Sequence, residues 1–221
     1  MKLIFDKDTN KTDNIKTALR VNLKYYTVVT ICAILLGYLN NNLTLAIFTL
    51  IVQHLWSYFS HKWGHYVFPL NVFHMIHHDP ERAHKWYNEI IETFVNFFGS
   101  GGFMLILPNL LVKKYTGIQL LDNYVLLFTS FLYTSIHMIN YHVKQVQTHK
   151  SHHDTDKSTG KAINFGPDII DILFNTKKNN EIYEDINHGI VNSLVIIIVI
   201  VFLFNSKYDI VRHIENIINV K

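Results

Sequence analysis

Four long stretches of this chain carry no charge. No Asp, Glu, Lys or Arg occurs at 25–61, 93–112, 123–143 or 186–206. Each is at least as long as the roughly 20 apolar residues that cross a bilayer as one helix. A segment entering lipid must satisfy its own backbone polar groups, and a helix does so within itself. The first stretch is long enough for two spans, broken at Asn40-Asn41-Asn42. The expected spans are Tyr25–Leu39, Leu43–Phe59, Phe94–Val112, Asn123–Tyr141 and Ile190–Phe204. The competing reading is a large soluble helical bundle, but its buried helices would rarely stay uncharged for so long. The expected fold is therefore all-α: an integral membrane helical bundle of four to five transmembrane segments.

The basic residues give this bundle an orientation. Lys2, Lys7, Lys11, Lys16, Arg20 and Lys24 precede the first span, without the early apolar run of a cleavable signal peptide. With that end cytosolic, 60–88 and the lysine-rich 144–187 also face the cytosol, so most of the basic residues sit on one side, with the link at Lys113 and Lys114 outside. The expected organisation is a cytosolic segment at 1–24, a membrane domain at 25–205 and a tail at 206–221. The third span is irregular: Gly99-Ser100-Gly101-Gly102 interrupts it and Pro108 follows. Such a break is tolerated only where protein covers the freed backbone groups. Cys32 is the single cysteine, so no intrachain disulfide can form. A net charge of +3 gives no case for a nucleic-acid partner.

Ten of the fourteen histidines fall into four clusters, all on the cytosolic side of this arrangement. His61 and His65 read HxxxH and share a helix face. His74, His77 and His78 read HxxHH, and His149, His152 and His153 repeat it. His137 and His142 are five apart, so their rings point together only if the helix ends or distorts between them. Neutral imidazole suits iron and zinc, so the simplest cause is a site for two metal ions in a histidine cap at the membrane face. His188, before the last span, competes with His142 for a further ligand role. His54, one heptad before His61, reads as a core or outer partner. His84 and His213 read as solvated. Asp79, Glu92 and Asp168 are candidates to orient ligand rings through their second nitrogens, with Glu89 and Asp154 beside them. The aromatics Trp56, Phe59, Phe131 and Tyr133 are candidates to line a lipid tunnel ending at the metals.

The order HKWGH at 61–65, FHMIHH at 73–78, a histidine at a helix end and HKSHH at 149–153 resembles the fatty acid hydroxylase and sterol desaturase superfamily. EIIET at 89–93 is similar to that family's acidic segment, and INFGPDIIDILFNTK at 163–177 to its closing signature. The spacing H-x4-H at 137–142 departs from the family's usual HxxxH, which leaves His142 open. HHDP with the downstream Glu also resembles the plasmanylethanolamine-type and carotenoid-related lipid desaturases.

The resemblance implies two iron ions, with zinc possible in the same site. It also implies O₂ as co-substrate and an acyl chain or sterol drawn from the bilayer. Hydroxylation and desaturation stay open as the outcome. Breaking an unactivated C–H bond is beyond any side chain, so a metal must do it. The chain has no haem or flavin segment of its own, so a separate reductase or small haem protein would supply electrons. The expected location is a multi-pass integral membrane protein, of the endoplasmic reticulum type if eukaryotic. A non-redox metal-binding membrane protein is the competing function.

Overall fold

The computed structural model describes residues 3–68, 71, 72, 74, 78, 85–159 and 162–218, and only the backbone of 154–159. It is all-helical; among the described residues the one β-bridge pairs Ile4 with Ile182.

Helix α1 (Lys11–Val21) starts at Asn10, whose side chain accepts from the Thr12 amide. It bends by 72° into α2 (Leu23–Leu39) at Asn22. That residue is tied to the far end of the chain: Asn22 Nδ2 donates to the Glu184 carbonyl, and the Ile186 amide donates to Asn22 Oδ1. Asn187 reciprocates by accepting from the Tyr25 amide and donating to the Val21 carbonyl. Helices α2 and α3 (Leu43–Tyr66) form a hairpin through Asn40–Asn42, with Asn41 in the left-handed region. They touch closely at Gly37, where a Cβ would meet the Ala46 side chain at 2.6 Å.

The interrupted third segment is α4 (Trp86–Val95), a π turn (Asn96–Ser100), a 3₁₀ turn (Phe103–Leu105) and α5 (Ile106–Thr116), bent by 46° overall. Its freed carbonyls are covered by protein, as the break demands. Gln53 Nε2 donates to the Ser100 and Gly101 carbonyls, Ser130 Oγ to Gly101 and Trp56 Nε1 to Gly99. Gly101 admits no side chain, because a Cβ would lie 2.8 Å from two carbonyls and from the Ser130 Cα.

Helix α6 (Asn123–Met138) is capped by Asp122, which accepts from the Tyr124 and Val125 amides. It is the central rod, and Asn123 to Ser130 are buried without interruption. A π turn (Ile139–Val143) leads towards α7 (Gln147–Thr159), which carries the last histidine box. The short α8 (Asp168–Leu173) packs on α1 through Phe5, Ala18, Ile172 and Tyr183. Helix α9 (Gly189–Phe204) and the amphipathic α10 (Ile210–Ile218) complete the chain.

Each of the five expected apolar segments contains helix, with modest changes of extent. Among the described residues Leu43–Tyr66 alone is long and apolar enough to cross a membrane, and the number rises to three if each bent pair is one span. Gly189–Phe204 is apolar but shorter. The α6 segment ends at Met138 rather than Tyr141, and protein surrounds its first half, so its lack of charge reflects burial.

Candidate metal centre

Helix α3 presents His61 and His65 one turn apart, and both are buried. Across from them stand His74 and the α7 residue His152. The ligand atoms of these four lie within 4.8 Å of one another. His65 Nε2 is 2.9 Å from His74 Nε2 and 3.0 Å from His152 Nε2. With metal–nitrogen bonds of about 2.0–2.1 Å, neighbouring ligands of one ion are about 2.9–3.4 Å apart and opposite ones about 4.2 Å.

Two main-chain carbonyls set the tautomers. His61 Nδ1 donates to the Phe165 carbonyl at 2.6 Å, and His152 Nδ1 donates to the Ile163 carbonyl. With the proton held on Nδ1, the Nε2 of each ring is a bare lone pair directed at the cluster. His61 Nε2 is buried with no hydrogen-bond partner. Converging lone pairs repel unless a cation lies between them, so this donor set fits a metal ion. Burial first, and the neighbouring imidazoles second, hold His74 well below the ordinary histidine range. Burial lowers His152 to about 4. These rings are therefore neutral at pH 7, as ligation requires.

A second lobe adjoins the first. His153 Nε2 lies 3.0 Å from His149 Nε2, and the His149 ring is 4.8 Å from that of His137. His78 sits between the lobes, stacked on His153 at 4.0 Å and 4.7 Å from His65. Burial and its neighbours hold His149 well below the ordinary range as well. His137 Nε2 donates to Glu92 Oε1 at 2.9 Å, which holds the orientation of that ring. His142 approaches the same acid at 3.8 Å and Glu89 at 3.9 Å. The π turn at Ile139–Val143 supplies the distortion that the five-residue spacing needs.

Other candidates sit elsewhere. Among the described residues Asp168 meets no ligand ring; its Oδ1 takes the Lys177 ammonium at 2.7 Å and its Oδ2 the Glu184 amide. His188 stands at the start of α9 near Lys144 and Asp185, with no ring contact to the box histidines among the described residues. His77, Asp79 and His84 lie outside the described residues, as does the Asp154 side chain.

A cavity of about 130 Å³ opens beside His61, His137 and His149. Of the four aromatics expected along a lipid tunnel, Tyr133 alone lines it. Trp56 is held at the Gly99 carbonyl, Phe59 packs on Phe174, and Phe131 lines a separate apolar groove against α9. The sequence reading missed the residues that act through the backbone. Asp171, fully buried, accepts from the Phe165 and Gly166 amides at 2.9 and 3.1 Å and from Thr176 Oγ1 at 2.6 Å. It thus fixes the loop whose carbonyls hold His61 and His152. A carboxylate soon after an aromatic-Gly-Pro turn, with Thr five residues later, was the available signal.

The family model described as fatty acid hydroxylase matches residues 46–176, which include every described histidine of both lobes. No curated protein and no solved structure matches. The chain belongs to the fatty acid hydroxylase family.

Proposed function

We propose that this protein is a membrane-bound, O₂-dependent oxidoreductase that hydroxylates, or desaturates, a lipid acyl chain or sterol at a two-iron centre. The observation that carries this reading is the pair of adjoining histidine lobes beside a cavity within an apolar helical bundle. His61, His65, His74 and His152 would hold one ion, and His137, His149 and His153, with His78 between the lobes, the other. Bound iron would supply the activation of O₂, which is the oxidant for C–H cleavage.

The chain's own residues do the rest. The Ile163 and Phe165 carbonyls keep protons on Nδ1, so Nε2 of His152 and His61 stays available. Glu92 fixes the His137 ring. Val29, Leu132 and Ile136 give the cavity apolar wall, which excludes water and accepts hydrocarbon. A multi-pass arrangement would place the histidines on the cytosolic side, where a separate reductase or small haem protein delivers electrons.

The test is lipid profiling of cells producing the chain with a reductase system, beside cells producing His149→Ala. A hydroxylated or newly unsaturated lipid in the first alone supports the reading. An unchanged profile in both supports a non-redox metal-binding protein instead.

A further inference from the structure

A groove of about 160 Å³ runs between α6 and α9, away from the histidine lobes. Leu127 and Phe131 line one wall, and Val195 and Val199 the other. Tyr124, at the start of α6, and Asp209, just beyond α9, line its end. That end lies about 20 Å along the α6 axis from His137. The groove opens on the apolar face of α9, where Val195 and Val199 are exposed. A dry hollow of about 150 Å³ walled by such side chains holds a molecule the size of benzene. This one therefore has room for a stretch of acyl chain.

Inside a bilayer such a groove takes either another helix or a lipid chain. Helices that pair closely in lipid carry small residues at the seam. The outward Val191, Val195, Ile198 and Phe202 of α9 include none, so a lipid chain fits better. The charge at the groove's end selects the headgroup. Asp209 is buried and engaged: Oδ2 accepts from Tyr124 Oη at 2.8 Å, and Oδ1 accepts from the Arg212 amide at 3.1 Å. Glu215 is held by Lys113 at 3.2 Å. The Arg212 guanidinium stands 3.9 Å from Asp209 Oδ2, which places it at the groove's end. That distance is too long for a hydrogen bond, and half of the Arg212 side chain is exposed. Its planar fork is therefore available to a further anion, and phosphate matches it. Exposed Lys207, two residues before Asp209, adds a second cation. Exposed Tyr208 beside it is the amphipathic ring expected at headgroup level.

We propose that this groove binds an anionic glycerophospholipid, with one acyl chain between α6 and α9 and the phosphate at Arg212. The lipid is a resident ligand, held too far from the histidines to be their substrate. The proposal rests on the membrane placement of the chain and not on the chemistry of the metal centre.

Full-length protein, stripped of lipid in detergent, would be titrated with dioleoyl phosphatidylglycerol or dioleoyl phosphatidylcholine. Native mass spectrometry reads the bound fraction. The anionic lipid should bind about fivefold tighter, the size expected for one basic residue at an anionic headgroup. Arg212→Gln should abolish that preference and leave phosphatidylcholine binding within about twofold. Val199→Trp fills the groove and should weaken both lipids about tenfold through lost chain burial. Ile198→Trp, exposed on α9 but outside the groove, should weaken neither. Equal affinity for the two lipids, an intact preference in Arg212→Gln or full binding in Val199→Trp would overturn the proposal. Displacement of the phospholipid by equimolar oleate would overturn it too, as would a dimer that Val199→Trp separates, since a fatty acid or a second copy would then be the occupant. If Val199→Trp fails to fold, the two-lipid comparison on the unmodified chain and on Arg212→Gln decides it.

Discussion

Asp171→Ala is the substitution whose effect the structure fixes most fully, although among the described residues Asp171 touches no histidine. It removes the acceptor of the buried Phe165 and Gly166 amides and of Thr176 Oγ1. Leaving a buried donor unmade costs about 1–3 kcal/mol, so the two main-chain donors alone amount to about 2–6 kcal/mol. That is a large share of the 5–15 kcal/mol typical of a folded domain. The loop also positions the carbonyls that orient His61 and His152. Disturbing such outer partners typically weakens metal affinity about 10–100-fold. The assay is thermal unfolding of detergent-purified protein, with metal content measured after dialysis against a graded chelator. Asp171→Ala should lower Tm by roughly 5–20 °C and release metal at about 10–100-fold lower chelator strength. Thr176→Val, which removes one of the three bonds, should cost about 1 kcal/mol. An Asp171→Ala protein with unchanged Tm and unchanged metal retention would refute the claim that this loop holds the ligand rings.

Gly64→Ala would place a Cβ 3.0 Å from His74 Cγ; it should weaken metal retention with every ligand still present, and chelator titration reads it. Gly101→Ala meets backbone on three sides at 2.8 Å and should cost about 1–3 kcal/mol, seen as a lower Tm. Stability should also depend on the proton held by Glu184. Its pKa is raised on folding from 4.5 to about 8, so its contribution is complete below about pH 4.5 and is lost as pH rises through 8. Glu184→Gln stays neutral, so the Tm of the unmodified chain minus that of Glu184→Gln should fall between about pH 5 and 9. A flat difference would show that Glu184 is charged in the fold.

Charge-free length located the helices well, because an uncharged run of this size has few places to go except lipid or a protein core. It could not separate those two destinations. Asn123 to Ser130 are enclosed by protein, whereas the exposed Val191, Leu194, Val195, Ile198 and Phe202 form one apolar face of α9. The histidine spacing likewise marked the boxes, and the interval between His137 and His142 required the helix to end or distort between them, where the structure has a π turn. What supports the site was harder to read. Carbonyl acceptors such as those of Ile163 and Phe165 leave no side-chain signature, whereas acids are visible in the sequence as partners for the rings. Asp168 drew attention as such an acid, yet buried Lys177 competes for it more effectively than a neutral ring could. Glu184 carried no motif; only the long-range pinning through Asn22 and Asn140 brings it to the cavity.

The most direct measurement is metal stoichiometry on the purified full-length chain by inductively coupled plasma mass spectrometry. Two lobes should give close to two ions per chain, with iron as the native metal. His65→Ala should lose one ion from the first lobe and His149→Ala one from the second. A chain that holds no more than one ion, or keeps both ions in the two variants, would contradict a two-metal centre built from these histidines.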